Sequence, residues 1–212
     1  MTSLEIFNRL FTDYPALNEC KESVMTAFTL LSECAKADAK VLVCGNGGSA
    51  ADSEHIVGEL MKGFLLKRPL SDEQKKQFAD IEGGEEIAAK LQCGIKAISL
   101  VSQSGVISAF ANDIDASLVF AQQVFAYADK KEDVLIALST SGNSDNIVKA
   151  TKTAKAAGIK TIAITGANDS KLSALADCTI KTPSTQTYQI QEYTLPVYHA
   201  LCAMLEADMF TQ

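Results

Sequence analysis

Five short runs of apolar and β-branched residues punctuate the chain: Lys40-Val-Leu-Val-Cys44, Ile95-Lys-Ala-Ile-Ser-Leu-Val101, Asp133-Val-Leu-Ile-Ala-Leu138, Lys160-Thr-Ile-Ala-Ile-Thr165 and Cys178-Thr-Ile-Lys-Thr182. Their near-continuous hydrophobicity predicts strands covered on both faces. Helical spacing lies around them. Leu17, Cys20, Val24, Phe28, Leu31 and Cys34 recur at steps of three and four, so residues 4–35 read as helix, broken near Asp13-Tyr14-Pro15. Further helical patterns run from Ser49 to Lys62, from Ser144 to Ala157 (stopped by Gly158) and from Tyr188 to Met209, with Pro196 inside the last. Strands alternating with helices predict right-handed βαβ units, and hence an α/β fold with a doubly wound parallel sheet. The expected organisation is one domain over residues 1–212, with an N-terminal helical region over 1–38.

One stretch departs from the alternation. Lys62 to Lys90 holds 12 charged residues in 29, about twice the density of the whole chain. Ser71-Asp-Glu-Gln74 has the form of a capping box, and Gly83-Gly84 suits a helix stop. Residues 64–92 are therefore expected to form a charged helical insertion between strands one and two, either a solvated surface segment or a lid.

The 212 residues suffice for one sizeable core. Nineteen Lys and Arg against 26 Asp and Glu give a net charge of −7, the wrong balance for a duplex nucleic-acid surface. No apolar run reaches the ~18 residues of a membrane span, and acidic residues interrupt the first apolar stretch as they would not in a signal peptide. The six cysteines form no CxxC pair and read as reduced core residues.

The chemistry gathers where strands end. Strand one runs into Gly45-Asn46-Gly47-Gly48-Ser49, and strand three into Ser139-Thr140-Ser141-Gly142-Asn143-Ser144; each opens a helix. Small residues with hydroxyls and free amides at helix N-termini suit an anion, phosphate first. Neither loop carries the GK[ST] of a Walker A motif. Gly45-x-Gly47-x-x-Ala50 lacks the acidic residue that a dinucleotide site places about 20 positions on. No G-x-S-x-G elbow supports a hydrolase triad. Lacking basic side chains, the loops fit a small monophosphate better than a nucleoside triphosphate. Just behind the glycine loop, His55 and Glu59 stand four apart, on one helix face about 6 Å from each other. The second histidine, His199, follows Gln191 by eight residues on the last helix, so both face one cleft. These groups suit a proton-transfer site, with the carboxylate's pKa lifted toward neutrality as a base and a histidine as acid. They also suit a divalent metal with nitrogen and oxygen ligands.

The segments VLVCGNGGSAADSEHIVGEL, FANDIDASLVF, DVLIALSTSGNSDNIVKA and IQEYTLPVYH resemble the sugar isomerase (SIS) domain, and within it the phosphoheptose isomerases. The resemblance implies a flavodoxin-like five-stranded sheet. It implies a cytoplasmic homotetramer with active sites at subunit interfaces, and conversion of sedoheptulose 7-phosphate to a manno-heptose 7-phosphate. It places Ser139, Thr140, Ser141 and Ser144 on the phosphate, and Asn46, Gly47, Gly48, Ser49, Asn112 and Asp113 along the substrate. Glu59 and His199 become the catalytic pair. His55, Glu59, Gln191 and His199 become ligands of zinc or another divalent metal. Departures are Gly63 where the family often has Arg, and Gln189 in place of the Arg of RIQE. The rival class is a non-catalytic SIS protein binding a sugar phosphate or a protein such as a replication initiator. That relative lacks counterparts of Glu59 and His199. A SIS-type regulator of gene expression would need a DNA-binding domain that the first ~40 residues do not supply.

Overall fold

The computed structural model describes residues 1–210. Its order is α1 (Ser3–Asp13), a 3-10 turn (Pro15–Cys20), α2 (Lys21–Lys36), β1 (Val41–Cys44), α3 (Gly48–Met61), α4 (Asp72–Lys76), α5 (Gly84–Lys90), β2 (Ala97–Ser99), α6 (Ser104–Phe110), a π-helical turn (Ala111–Asp115), a 3-10 turn (Ala116–Leu118), α7 (Val119–Tyr127), β3 (Val134–Leu138), α8 (Asp145–Ala156), β4 (Lys160–Thr165), α9 (Lys171–Leu175), β5 (Cys178–Lys181) and α10 (Thr187–Phe210). The five expected strands are all present. The helices between β2 and β3 have no counterpart in the pattern analysis.

The sheet is wholly parallel, in the order β2-β1-β3-β4-β5. That is the flavodoxin-like winding, and its direction reverses between β1 and β3. Alternate strand residues serve opposite layers. Val41, Val43, Ile136 and Ile164 pack with α1, α2, α3 and α10, whereas Leu42, Cys44, Leu135 and Ala137 pack with α7, α8 and α9. Buried Asp133 accepts hydrogen bonds from the Lys40, Asp129 and Lys130 amides at 2.8, 3.0 and 3.1 Å, tying the entry of β1 to that of β3. α10 runs unbroken through Pro196. All six cysteines are free thiols. Burial pushes Cys20 and Cys178 up to about 11 and Cys34, Cys44 and Cys202 up to about 12, so these five stay protonated and inert. Among the described residues no helix is long and apolar enough to cross a membrane.

The charged insertion is less uniform than its composition suggests. The Ser71 capping box forms, but Gly83 and Gly84 open α5 and do not close α4. At φ +73° Gly83 takes the left-handed conformation that starts the second helix. Arg68 is buried, paired with Glu206 of α10 at 2.7 Å, so the base of the insertion belongs to the core. Pro69 and Gln92 then form a bridge that closes the excursion at its neck. Beyond that neck α4 and α5 pack on each other and, with the turn between them, line a cleft of about 1180 Å³. Replacing residues 70–91 with a two-glycine link should therefore leave a folded protein melting within about 5 °C of wild type. An insoluble product in expression and thermal-melt assays would show that α4 and α5 carry core packing.

Candidate active site

The strand reversal leaves a crevice at the carboxyl ends of β1 and β3, the place where open parallel sheets bind ligands. Both anion-ready loops border it. In the first, Gly47 takes φ +57°, a conformation glycine adopts without strain. A Cβ on Gly48 would lie 2.4 Å from Gln191 Nε2, so only glycine lets α10 lay that amide across the loop. In the second, buried Ser139 and half-buried Ser144 face each other with 3.0 Å between hydroxyls, while the exposed Ser141 hydroxyl accepts the Asn143 amide at 3.2 Å. Thr140 and Ser141 line a polar depression of about 250 Å³ shared with Gly166, Asp169, Ser184 and Thr187. The loops are joined by a reciprocal pair of amides. Asn46 and Asn146 exchange two hydrogen bonds, each 2.9 Å. Asn146 was not expected to have a role; a separation of 100 positions along the chain conceals the pairing.

Behind the glycine loop α3 presents Asp52, His55 and Glu59 along one stripe. His55 Nε2 lies 3.1 Å from Glu59 Oε1 and its Nδ1 lies 2.9 Å from the Tyr198 hydroxyl, which reaches Asp52 at 3.4 Å. Lys62 Nζ donates to Glu59 Oε2 at 3.0 Å. His199 meets this group from α10. Its ring centroid is 4.9 Å from that of His55, 4.8 Å from Tyr198 and 5.5 Å from Phe64. Its Nε2 is buried without a hydrogen-bond partner. The structure thus brings together His55, Glu59, His199 and, over the loop, Gln191. Asp52 and Lys62 were missed, although their spacing of three from His55 and from Glu59 was a signal for them; Tyr198 gave none, since its adjacency to His199 hides which way it points.

Two electrostatic expectations are corrected. Burial pushes the Glu59 carboxyl up, but Lys62 and His55 outweigh it and hold Glu59 below the usual carboxylate range, not near neutrality. It is burial, against the pull of Tyr198 and His55, that lifts Asp52. Burial together with the neighbouring His55 pushes His199 below the usual imidazole range, with Glu59 opposing, so near pH 7 it is a neutral donor and not an imidazolium.

Asn112 and Asp113 sit exposed on the π-helical turn, with Asn112 Nδ2 donating to Asp113 Oδ1 at 2.8 Å. Lys149 of α8 anchors that turn through Ser117 and Asp115. No side-chain hydrogen bond among the described residues joins Asn112 or Asp113 to either loop. Among the described residues no three His, Cys, Asp or Glu side chains converge as a metal cage. His55 and Glu59 are engaged with each other, and the Nε2 of His199 is left without a partner.

The arrangement matches known proteins over nearly the whole chain. A SIS domain family profile matches residues 105–207 and a second SIS domain profile matches residues 15–81. The chain is 35% identical over 190 residues to a phosphoheptose isomerase of Rhodospirillum rubrum, covering 90% of this chain and 88% of the relative. It is 36% identical over 191 residues to one from Helicobacter pylori, covering 90% and 86%. Solved structures of phosphoheptose isomerases from Neisseria gonorrhoeae and Francisella tularensis superpose with TM-scores of 0.73 and 0.74, each at 28% identity, over 95% and 97% of this chain and 93% and 98% of theirs. Likeness in sequence and in structure over this share of both partners goes beyond a common fold: the chain belongs to the phosphoheptose isomerase family, whose members are phosphosugar isomerases.

Proposed function

We propose that the chain interconverts sedoheptulose 7-phosphate and D-glycero-D-manno-heptose 7-phosphate, with residues 1–212 acting as one SIS domain. The observation that carries the reading is His55 on α3, the helix that follows one of two joined anion-ready loops, bonded to Glu59 at 3.1 Å and set edge-to-face against His199 of α10 at 4.9 Å. Ser139, Thr140, Ser141 and Ser144, with the N-terminus of α8, hold the phosphate. Asn46, Gly47, Gly48, Ser49 and Gln191 line the sugar. Asn112 and Asp113 are proposed to reach it as well, from a neighbouring subunit. The neighbour is part of the reading: strongly exposed Phe125 and Ile114, at 74% and 68%, suit burial in a homotetramer with interfacial sites. Reduced thiols and the metabolite substrate suit the cytoplasm.

A ketose–aldose isomerisation moves a proton between C1 and C2 through an ene-diol. Glu59, ionised at neutral pH, takes the proton from one carbon and returns it to the other. The carbonyl oxygen gains negative charge midway, and neutral His199 donates a hydrogen bond to it. Lys62, with 59% of its side chain exposed, is free to swing off Glu59 as the sugar enters. The donor chemistry of His55, Glu59, Gln191 and His199 suits zinc or another divalent metal, and the partnerless buried Nε2 of His199 is the observation in its favour. When bound, such an ion would supply Lewis-acid polarisation of the substrate oxygens. The rival reading, a non-catalytic SIS protein, leaves the Glu59–His199 pair without a purpose.

Two sets of variants test the reading. Ser141→Ala and Ser144→Ala should weaken sugar-phosphate binding by about 1–3 kcal/mol, the scale of a lost hydrogen bond to a charged acceptor. Unchanged titration curves in calorimetry would place the phosphate elsewhere. Glu59→Gln should lower kcat at least ~100-fold with binding retained. Because Lys62 helps hold Glu59 below the usual range, activity falls only when pH drops through that lowered pKa. Lys62→Met raises the pKa, so the acidic limb of the pH–rate profile should move to higher pH. A limb that stays in place would show that it belongs to another group.

A further inference from the structure

The Arg68–Glu206 pair takes no part in the reaction as described, yet it is the most deeply buried ion pair among the described residues. Arg68 is 2% and Glu206 1% exposed. The guanidinium donates from Nε to Glu206 Oε1 at 2.7 Å, from Nη1 to the Leu60 carbonyl at 2.8 Å and from Nη2 to the Glu59 carbonyl at 3.3 Å. Its flat face lies on Phe210, 4.6 Å from the ring centroid. Glu206 accepts three amides besides, from Phe64, Leu65 and Leu66 at 2.8, 2.7 and 2.9 Å.

Stability alone is a weak account of such a pair. Taking two ions out of water is costly, and an apolar pair of similar volume is often as stable. What an apolar pair could not do is grip the last turn of α3. Carbonyls there have no partner within the helix, and a cation complements the helix dipole. One of the two gripped carbonyls belongs to Glu59 itself. At the other end of the clasp, Phe64, whose amide Glu206 holds, packs on His199. Glu206 also lies seven residues beyond His199 on the same helix. One ionic knot therefore joins the helix that carries the base to the helix that carries the acid.

We infer that Arg68 and Glu206 are positioning residues for the isomerisation: their clasp fixes the last turn of α3 against α10 and so sets where Glu59 stands relative to His199. The inference rests on the assignment of Glu59 and His199 as the acid–base pair. It also explains why the charged insertion leaves the core at this point, since the chain must pass through the clasp before it becomes solvated.

Two variants probe the clasp without leaving a lone buried charge. R68K keeps the cation but cannot reach two carbonyls and a carboxylate as a planar fork does. R68M/E206Q removes both charges and keeps an acceptor for the amides of residues 64–66. Steady-state kinetics, circular dichroism and thermal melts are measured on the full chain, with Glu59→Gln alongside. The expected result is folded protein with kcat lowered 10-fold or more and KM for the sugar phosphate within twofold, because the serine loop is remote from the clasp. R68K, retaining part of the grip, should lose less than the double variant. Folded variants with wild-type kcat overturn the inference. So does a parallel loss of kcat and KM, or failure of both variants to fold, since the pair would then be a determinant of folding only. Near wild-type activity in Glu59→Gln overturns the acid–base assignment itself. An inactive Glu59→Gln beside a fully active clasp variant overturns only the positioning role.

Discussion

Between β1 and β3 the chain reverses the direction in which it adds strands, and the chemistry of the molecule depends on that reversal. Crossover connections leave the two strands on opposite faces of the sheet, so no helix covers their carboxyl ends. The glycine loop and the serine loop border the opening that results, each ahead of a helix N-terminus with its partial positive charge. The Asn46–Asn146 amide pair then fixes the spacing of the loops, so the anion site is assembled before any ligand arrives. Preassembly of this kind lowers the cost of ordering when a sugar phosphate binds.

The same crevice explains the electrostatics of the acid–base groups. Glu59 is ionised, so His55 directs a proton from Nε2 toward it, and in neutral His55 the Nδ1 lone pair accepts from the Tyr198 hydroxyl. Burial, with Asp52 nearby, pushes the Tyr198 phenol up and keeps it protonated for that task. The Tyr198 hydroxyl also reaches Asp52, its other neighbour, at 3.4 Å. Asp52, Tyr198, His55 and Glu59 thus form a continuous line of hydrogen-bonding groups that holds the imidazole upright next to His199. His199 packs beside the two central members of that line and keeps a buried nitrogen without a partner, a cost that points to a role for it in the reaction.

Much of this was legible in the residues because it is local. Strands show as short apolar runs, the loops as clusters of glycine and serine, and the His55–Glu59 pair as a spacing of four. What escaped was set by partners far along the chain. Arg68 read as one more charge in a solvated stretch, because its carboxylate lies 138 residues on. Asn146 and Tyr198 were hidden in the same way. Of the helices after β2, α6 buries none of its residues fully and passes straight into a π-helical turn, which leaves no clean apolar stripe, whereas α7 is short and buries residues in a nearly continuous run that shows no helical period. The lifted pKa expected for Glu59 took account of burial and overlooked Lys62, one turn on, whose charge and hydrogen bond reverse the sign. Gly83 and Gly84 were read as a stop, since a left-handed glycine commonly ends a helix; here α4 has already ended at Lys76 and Gly83 caps the start of α5 instead.

The central claim is that Glu59 carries the proton between the two carbons of the sugar. Incubation of the sugar phosphate with enzyme in D₂O, followed by proton NMR of the recovered substrate and product, tests it at the bond concerned. Wild type should wash deuterium into the carbon-bound position at a rate comparable with isomerisation, and Glu59→Gln should show no wash-in while still binding the sugar phosphate. Deuterium incorporation by Glu59→Gln at near the wild-type rate would contradict the account and put the base elsewhere in the crevice.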